Sequence, residues 1–121
     1  MSLQDLRILV VEDEYFIADA MQRGLKREGA VVVGPAPSIE EALALIDSEP
    51  VDAAVIDLNL GGEKAFPVAD ALQVRGVPFL FTTGYGVSDI PPAWRHVRRL
   101  EKPVNMATVA RALESSGEGA P

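Results

Sequence analysis

The sequence predicts one α/β domain, a doubly wound fold in which a five-stranded parallel sheet is covered by helices on both faces. Three observations lead to this prediction. Apolar runs near residues 6–11, 53–56 and 78–81 are typical of strands that are buried on both sides. Amphipathic stretches with helical spacing alternate with these runs. The length of 121 residues allows one hydrophobic core but not two.

The first half of the chain predicts two strand–helix units. Residues 6–11 form the first strand, and the helix after it ends at Gly29. Residues 30–33 form the second strand, and Ser38 with Glu41 is typical of the capping box that opens a helix. The apolar residues at helical spacing are Tyr15, Phe16, Ile17, Ala20, Met21 and Leu25 in the first helix, and Ile39, Ala42, Leu43 and Ile46 in the second.

The middle of the chain predicts a third unit and a fourth strand. The third strand lies within residues 52–60, and Pro67 suits the first turn of a helix that ends at Gly76. Residues 78–81 form the fourth strand. The apolar positions of the third helix are Val68, Ala71, Leu72 and Val74.

The last third departs from this regular alternation. Residues 84–95 contain two glycines and two prolines without a helical period, which predicts a loop or, at most, a short irregular fourth helix. Residues 97–100 form a final strand, and Asn105 caps the last helix. We expect a single domain over residues 1–121, with a core at about 6–114 and a frayed tail at 115–121. The last helix places Met106, Val109, Ala110 and Leu113 on one face.

The amino-acid composition argues against several classes of partner and binding site. A net charge of −7 argues against nucleic acid as a partner, because phosphate backbones attract lysine and arginine. The chain has no cysteine, which excludes disulfides and thiolate metal ligands and suits a cytoplasmic setting. Neither a signal segment nor an apolar run approaching the ~20 residues of a membrane span is evident, so we expect no membrane association.

Polar side chains stand where the predicted strands end. Glu12 and Asp13 follow the first strand, Asp57 ends the third, Thr83 ends the fourth, and Lys102 follows the fifth. The carboxyl ends of parallel strands open on one edge of the sheet, which is where such folds bind ligands. Carboxylates are the ligands that Mg²⁺ prefers. Together these residues indicate a magnesium-dependent phosphoryl site.

Each of these residues also has a simpler explanation when it is taken alone. Asp57 could shape the turn that follows it, and the acid pair could favour the N-terminus of the first helix. Lys102 alone would be an ordinary surface lysine. Their joint occurrence in the order acid pair, single acid, hydroxyl and lysine outweighs these explanations. Thr83 is preferred to Thr82 because neighbouring strand residues face opposite sides.

With these residues the chain, from residue 7 to about 113, resembles a receiver domain of the bacterial two-component response regulators. The resemblance implies the flavodoxin-like strand order 2-1-3-4-5, and Mg²⁺ as cofactor. It also implies phosphoryl transfer from a phosphohistidine and output by protein contact or phosphate shuttling, without enzymatic turnover of a separate substrate. The implied roles are phosphoacceptor for Asp57, switch hydroxyl for Thr83, conserved-type lysine for Lys102, and metal ligands for Glu12, Asp13, Asp57 and the backbone carbonyl of Asn59.

Residues 81–86 are similar to a receiver subgroup that reads Phe-Ala-Thr-Gly followed by tyrosine and glycine. That subgroup is typically a single domain with an irregular fourth helix, and it serves kinases of the HWE and related classes. The resemblance therefore implies a stand-alone receiver. Its implied partners are a sensor histidine kinase of the HWE or a related class, or a phosphotransfer protein, and a downstream protein target.

Several departures and alternatives stay open. Glu12 stands where many receivers have aspartate, and Leu100 where many carry an aromatic switch residue; Tyr85 is a substitute for that aromatic or merely a ring over the core edge.

A magnesium phosphohydrolase would favour an acid at position 59, where this chain has asparagine. An unphosphorylated scaffold is the other rival, and the intact set of acids, hydroxyl and lysine argues against it. The basic cluster of Trp94, Arg95, Arg98 and Arg99 is more typical of a solvated face, or of salt bridges to nearby acids, than of a partner surface.

Overall fold

The computed structural model describes residues 3–84 and 90–119, so the prediction for Tyr85 lies outside the described residues. Four helices and seven strands occur in these ranges. The helices are α1 Tyr15–Arg27, α2 Ile39–Ser48, α3 Phe66–Val74 and α4 Met106–Gly119. The strands are β1 Arg7–Val11, β2 Val31–Ala36, β3 Ala53–Asp57, β4 Asn59–Leu60, β5 Glu63–Lys64, β6 Phe79–Thr83 and β7 Arg99–Glu101.

Five of the strands form one parallel sheet in the order β2-β1-β3-β6-β7. Counted along the chain without the β4–β5 hairpin, this is the order 2-1-3-4-5, so the predicted flavodoxin-like topology is confirmed. From β1 the chain goes first to β2 on one side and then to β3, β6 and β7 on the other, which places helices on both faces. The carboxyl ends of β1, β3 and β6 consequently lie side by side at one edge.

Alternate residues of the central strands feed two separate cores. Leu9, Ile56 and Phe81 pack on the side of α2 and α3, whereas Ile8, Val55 and Leu80 pack on the side of α1 and α4. Every residue of β3 is buried. A strand that is covered on both faces has no polar side, which explains why these segments are continuous apolar runs in the sequence.

The predicted helix boundaries rest on caps that the structure contains. The Ser38 hydroxyl accepts a hydrogen bond from the Glu41 amide at 3.1 Å, and the Asn105 side chain accepts one from the Thr108 amide at 2.8 Å. The chain leaves α1 through Gly29, whose φ of +90° lies in the left-handed region that favours glycine. These local interactions are set by short sequence spacings, so they were predictable.

Several predicted boundaries were wrong. Strand β2 continues to Ala36 instead of ending at residue 33, and the strand predicted at 97–100 begins only at Arg99. Helix α4 runs on to Gly119, into the segment that the sequence analysis assigns to a tail. At the start of α1, Tyr15 and Phe16 are 75% and 84% exposed, so these two aromatics do not belong to its buried face.

The irregular segment after β6 contains one described element, a single 3-10 turn at Pro92–Trp94. No α-helix occurs in its described part, residue 84 and residues 90–95, which agrees with the prediction for this segment. Trp94 is buried and stacks on the ring of Phe66, with ring centroids 6.0 Å apart. Trp94 therefore belongs to the core, and the predicted grouping of this residue with a solvated basic cluster was wrong.

No helix in the described ranges is long and apolar enough to cross a membrane.

Candidate functional site

The strand register brings the predicted acidic residues together. Val11 pairs with Ile56 across β1 and β3. Glu12 and Asp57 are the next residues along the chain, so they lie side by side at the carboxyl ends of these strands. Both are buried, at 5% and 4% exposure. Two carboxylates are thus held at the edge of an apolar sheet, where they need a counter-charge or a cation.

Lys102 supplies a counter-charge to both carboxylates. Its Nζ lies 2.9 Å from Glu12 Oε1 and 3.1 Å from Asp57 Oδ2. The backbone amide of Lys102 donates to the Thr83 carbonyl oxygen at 2.8 Å, which ties the lysine to the end of β6. The lysine is therefore positioned from its backbone as well as from its ammonium group.

Burial and neighbouring charges shift the pKa values of Glu12 and Lys102. Burial raises the pKa of Glu12 to about 7, and repulsion from Asp57 adds to the rise. The hydrogen bonds from Lys102 and from the Glu14 amide lower the pKa of Glu12 without cancelling that rise. For Lys102, burial acts to lower the pKa, but its hydrogen bonds to Glu12 and Asp57 outweigh burial and raise it. The site therefore stabilises the charged form of Lys102 and destabilises the ionised form of Glu12.

A small hairpin that the sequence analysis missed completes the site. Strands β4 and β5 are antiparallel and join through Gly61 and Gly62, whose φ angles of +56° and +93° suit a two-residue hairpin turn. The Gly61 amide donates to Asp13 Oδ2 at 3.0 Å, and the Asn59 amide donates to Asp57 Oδ1 at 3.2 Å. The adjacent glycines between two short runs were the signal for this hairpin.

Glu14 is a second residue that the sequence analysis missed. Its backbone amide donates to Glu12 Oε2 at 3.1 Å, so both oxygens of the Glu12 carboxylate are occupied, one by Lys102 and one by this amide. The exposed Glu14 side chain lines the cavity beside Asp57. Its position at the start of α1 was the available signal.

Thr83 lies at the end of β6, buried, on the strand next to Asp57. The register pairs Asp57 with Thr82, so Thr83 stands one residue further along than Asp57 does. In the described parts of the chain, the Thr83 hydroxyl makes no hydrogen bond to Asp57 or Lys102. The structure thus brings Glu12, Asp13, Asp57 and Lys102 together and leaves the Thr83 side chain next to this cluster, so its switch role stays a prediction.

The acidic residues suit a hard cation. Glu12, Asp13 and Asp57 each present an oxygen, and these oxygens all lie within 4.8 Å of one another. Asp13 and Asp57 face an open cavity of about 310 Å³ that Asn59 and Lys102 also line. Asp13 is exposed and opens the cluster to solvent. Mg²⁺ binds at carboxylate oxygens that are open to solvent, because this ion keeps several of its own water ligands.

The chain is similar in sequence and fold to proteins of one family. The response regulator receiver domain model matches residues 8–114. The solution structure of SdrG from Sphingomonas melonis Fr1 is 38% identical with a TM-score of 0.81, covering 95% of this chain and 98% of that one. The BeF3-activated conformation of SdrG from Pseudomonas melonis Fr1 is 39% identical with a TM-score of 0.77, covering 92% and 95%.

Curated proteins match over part of their length. The transcriptional regulatory protein YvrH of Bacillus subtilis is 32% identical over 82 residues, which are 67% of this chain and 35% of that protein. The sensory transduction protein RegX3 of Mycolicibacterium smegmatis is 38% identical over 79 residues, 63% of this chain and 33% of that protein. The chain thus spans about a third of the length of these relatives. From its matched residues, its sheet order and its acidic strand ends, the chain belongs to the response regulator receiver domain family.

Proposed function

We propose that this receiver domain accepts a phosphoryl group on Asp57, in the presence of Mg²⁺, from a phosphohistidine of a sensor histidine kinase or phosphotransfer protein. The observation that carries the proposal is the setting of the Asp57 carboxylate. It ends a fully buried strand, opens on a cavity, and has one oxygen bonded to the Asn59 amide and the other to Lys102. A carboxylate held in this way is oriented toward an incoming electrophile.

In the proposed transfer, an oxygen of Asp57 forms a bond to phosphorus as the phosphorus–nitrogen bond of the phosphohistidine breaks. Phosphoryl transfer depends mainly on positioning and charge neutralisation, so few protein groups are needed. Asn59 and Lys102 orient the carboxylate, and the Lys102 ammonium offsets the negative charge of the entering group. A magnesium ion held by Glu12, Asp13, Asp57 and the Asn59 carbonyl would supply further positive charge to the phosphoryl oxygens.

The proposed output begins with the same lysine. Lys102 now neutralises two carboxylates, and a phosphoryl group on Asp57 adds acceptor oxygens that compete for this ammonium. The Thr83 hydroxyl, on the neighbouring strand end, would move to the same oxygens. The shift of Thr83 would then change the surface that the domain presents to a downstream protein. A stand-alone domain over residues 1–121, a cytoplasmic location and a kinase of the HWE or a related class are parts of this proposal.

Beryllofluoride, a mimic of the phosphoryl group, tests the proposal. With Mg²⁺ it should shift the backbone amide resonances of Asp57, Thr83 and Lys102 in the wild type. Asp57→Ala should abolish these shifts, while Asp70→Asn, which removes an exposed acid on α3, should leave them unchanged. Phosphorylation by a small phosphodonor should add one phosphoryl group to the wild type and to Asp70→Asn, but none to Asp57→Ala. A response that survives Asp57→Ala, or no response in the wild type, would overturn the proposal.

A further inference from the structure

A cluster of positive charge lies away from the acidic site. Three of the eleven lysines and arginines, and the one histidine, fall within residues 95–99 of a chain whose net charge is −7. All four side chains are exposed. We refer to Arg95, His96, Arg98 and Arg99 as the arginine patch.

The fold presents this patch on a rigid base. Trp94, Val97 and Leu100 are buried at every third position, so the residues between them point to solvent. Arg99 lies on β7, the last strand of the sheet, and no further strand of the described chain covers it. The Arg98 carbonyl accepts a hydrogen bond from the Phe81 amide at 2.9 Å, which fixes the backbone of the patch to β6.

The patch lacks ion-pair partners within the described residues. Two exposed arginines elsewhere do have such partners, Arg23 with Asp19 at 2.7 Å and Arg75 with Asp47 at 2.6 Å. No carboxylate of the described chain lies within 4.0 Å of the patch arginines. Arg95 uses its Nε to bond the Ile90 carbonyl at 3.0 Å, which holds its side chain in place. Glu101, the exposed acid on β7, lies two residues from Arg99 and therefore on the same face of the strand.

We propose that the arginine patch is a docking surface for an acidic segment of a partner protein. Guanidinium groups with unused N–H donors match carboxylates in a two-pronged geometry, and their positions on a fixed backbone reduce the ordering cost of binding. The partner chemistry follows from charge complementarity. A short acidic segment can cover the patch without meeting the rest of this acidic surface.

The same charge distribution disfavours two other occupants. A nucleic acid would extend past the patch onto a surface on which acids outnumber bases by 18 to 11, and its phosphates would be repelled there. A second copy of the chain could offer its own acidic edge to the patch. That contact would bring together molecules that each carry a net charge of −7 and therefore repel one another.

A labelled glutamate peptide of about 12 residues, followed by fluorescence anisotropy at low salt, tests the proposal. The wild type should bind the peptide saturably with a Kd below about 1 mM. Arg98→Gln with Arg99→Gln should weaken binding about fivefold or more, as expected for the loss of two exposed charge pairs. The matched control is Lys26→Gln with Arg27→Gln, which removes the same charge from an exposed pair at the end of α1 and should change the Kd less than about twofold.

The other outcomes overturn the proposal. Equal weakening by the two double variants would mean that net charge alone attracts the peptide. Tighter binding of a single-stranded oligonucleotide of the same charge would assign the patch to nucleic acid. Self-association of the wild type that Arg98→Gln with Arg99→Gln abolishes would assign it to a second copy. Both double variants should keep the wild-type beryllofluoride response, which separates this test from that of the phosphoacceptor site.

Discussion

Replacing Glu12 by glutamine tests the electrostatics of the site directly. In the metal-free protein the pKa of Glu12 is raised from 4.5 to about 7, mainly by burial. A carboxyl whose pKa is raised by folding stabilises the folded state fully below its unfolded pKa, and this stability is lost as the pH rises through the folded pKa. The relevant window for Glu12 therefore runs from about 4.5 to about 7. Glutamine resembles the protonated acid, so Glu12→Gln should remove this dependence of folding stability on pH.

The size of the effect follows from the same two values. One pKa unit corresponds to about 1.4 kcal/mol, and Glu12 is 5% exposed, so solvent screens it little. Between pH 5 and pH 8 the metal-free wild type should lose about 2–3 kcal/mol of unfolding free energy through this group. Glu12→Gln should be more stable than the wild type by about 3 kcal/mol at pH 8 and by less than about 1 kcal/mol at pH 5.

Urea unfolding in chelator at pH 5 and pH 8 measures these differences. Glu14→Gln is the matched control, because it removes a neighbouring acid that is exposed, and it should change the unfolding free energy by less than about 0.5 kcal/mol at both pH values. With Mg²⁺ bound to the cluster, the advantage of glutamine should shrink, since the ion favours the ionised acid. Parallel pH profiles for the wild type and Glu12→Gln would refute the reasoning.

Three further predictions concern the same edge of the sheet. Asp57→Asn should raise the melting temperature in chelator, since it relieves repulsion among the three acids, and raise it less in Mg²⁺; equal shifts in both buffers would count against a shared metal site. Lys102→Met should lower the unfolding free energy by about 3 kcal/mol at pH 8 in chelator, because Glu12 and Asp57 lose their counter-charge, and an unchanged urea midpoint would contradict this. Gly61→Ala should lower the unfolding free energy by about 1–2 kcal/mol, because the φ of +56° at this position disfavours a side chain. Ala65→Gly, a change at the N-cap of α3 on the same connection, should leave the amide resonance of Asp13 unchanged.

The residues of the site could be predicted because they directly follow predicted strands. Asp57 follows a continuous apolar run, and in a parallel sheet the residue after such a run reaches the ligand-binding edge. Glu12 and Lys102 follow the same rule on other strands. The order of these residues along the chain was therefore enough to predict one cluster and the family to which the chain belongs.

Other features depended on contacts between distant segments. Burial separates Glu12 from its neighbour Asp13, because one side chain turns into the sheet and the other faces solvent, and the sequence treats the two acids alike. The Gly61 amide reaches Asp13 across 48 positions of sequence. Trp94 looks like part of a basic surface until the ring of Phe66 is placed against it. Periodicity carries no information about such pairs.

The sequence by itself determined the class of fold, the strand ends that carry the acids and the lysine, and the family of the chain. Local spacing specifies these features, because caps, apolar runs and strand ends are set by residues that are close together in the chain. Only the tertiary structure decided that Lys102 bridges Glu12 and Asp57, and that a hairpin holds Asp13. It also decided that the arginine patch is left without ion-pair partners in the described chain. These features arise from packing between segments far apart in sequence, where burial and distance set the strength of each charge.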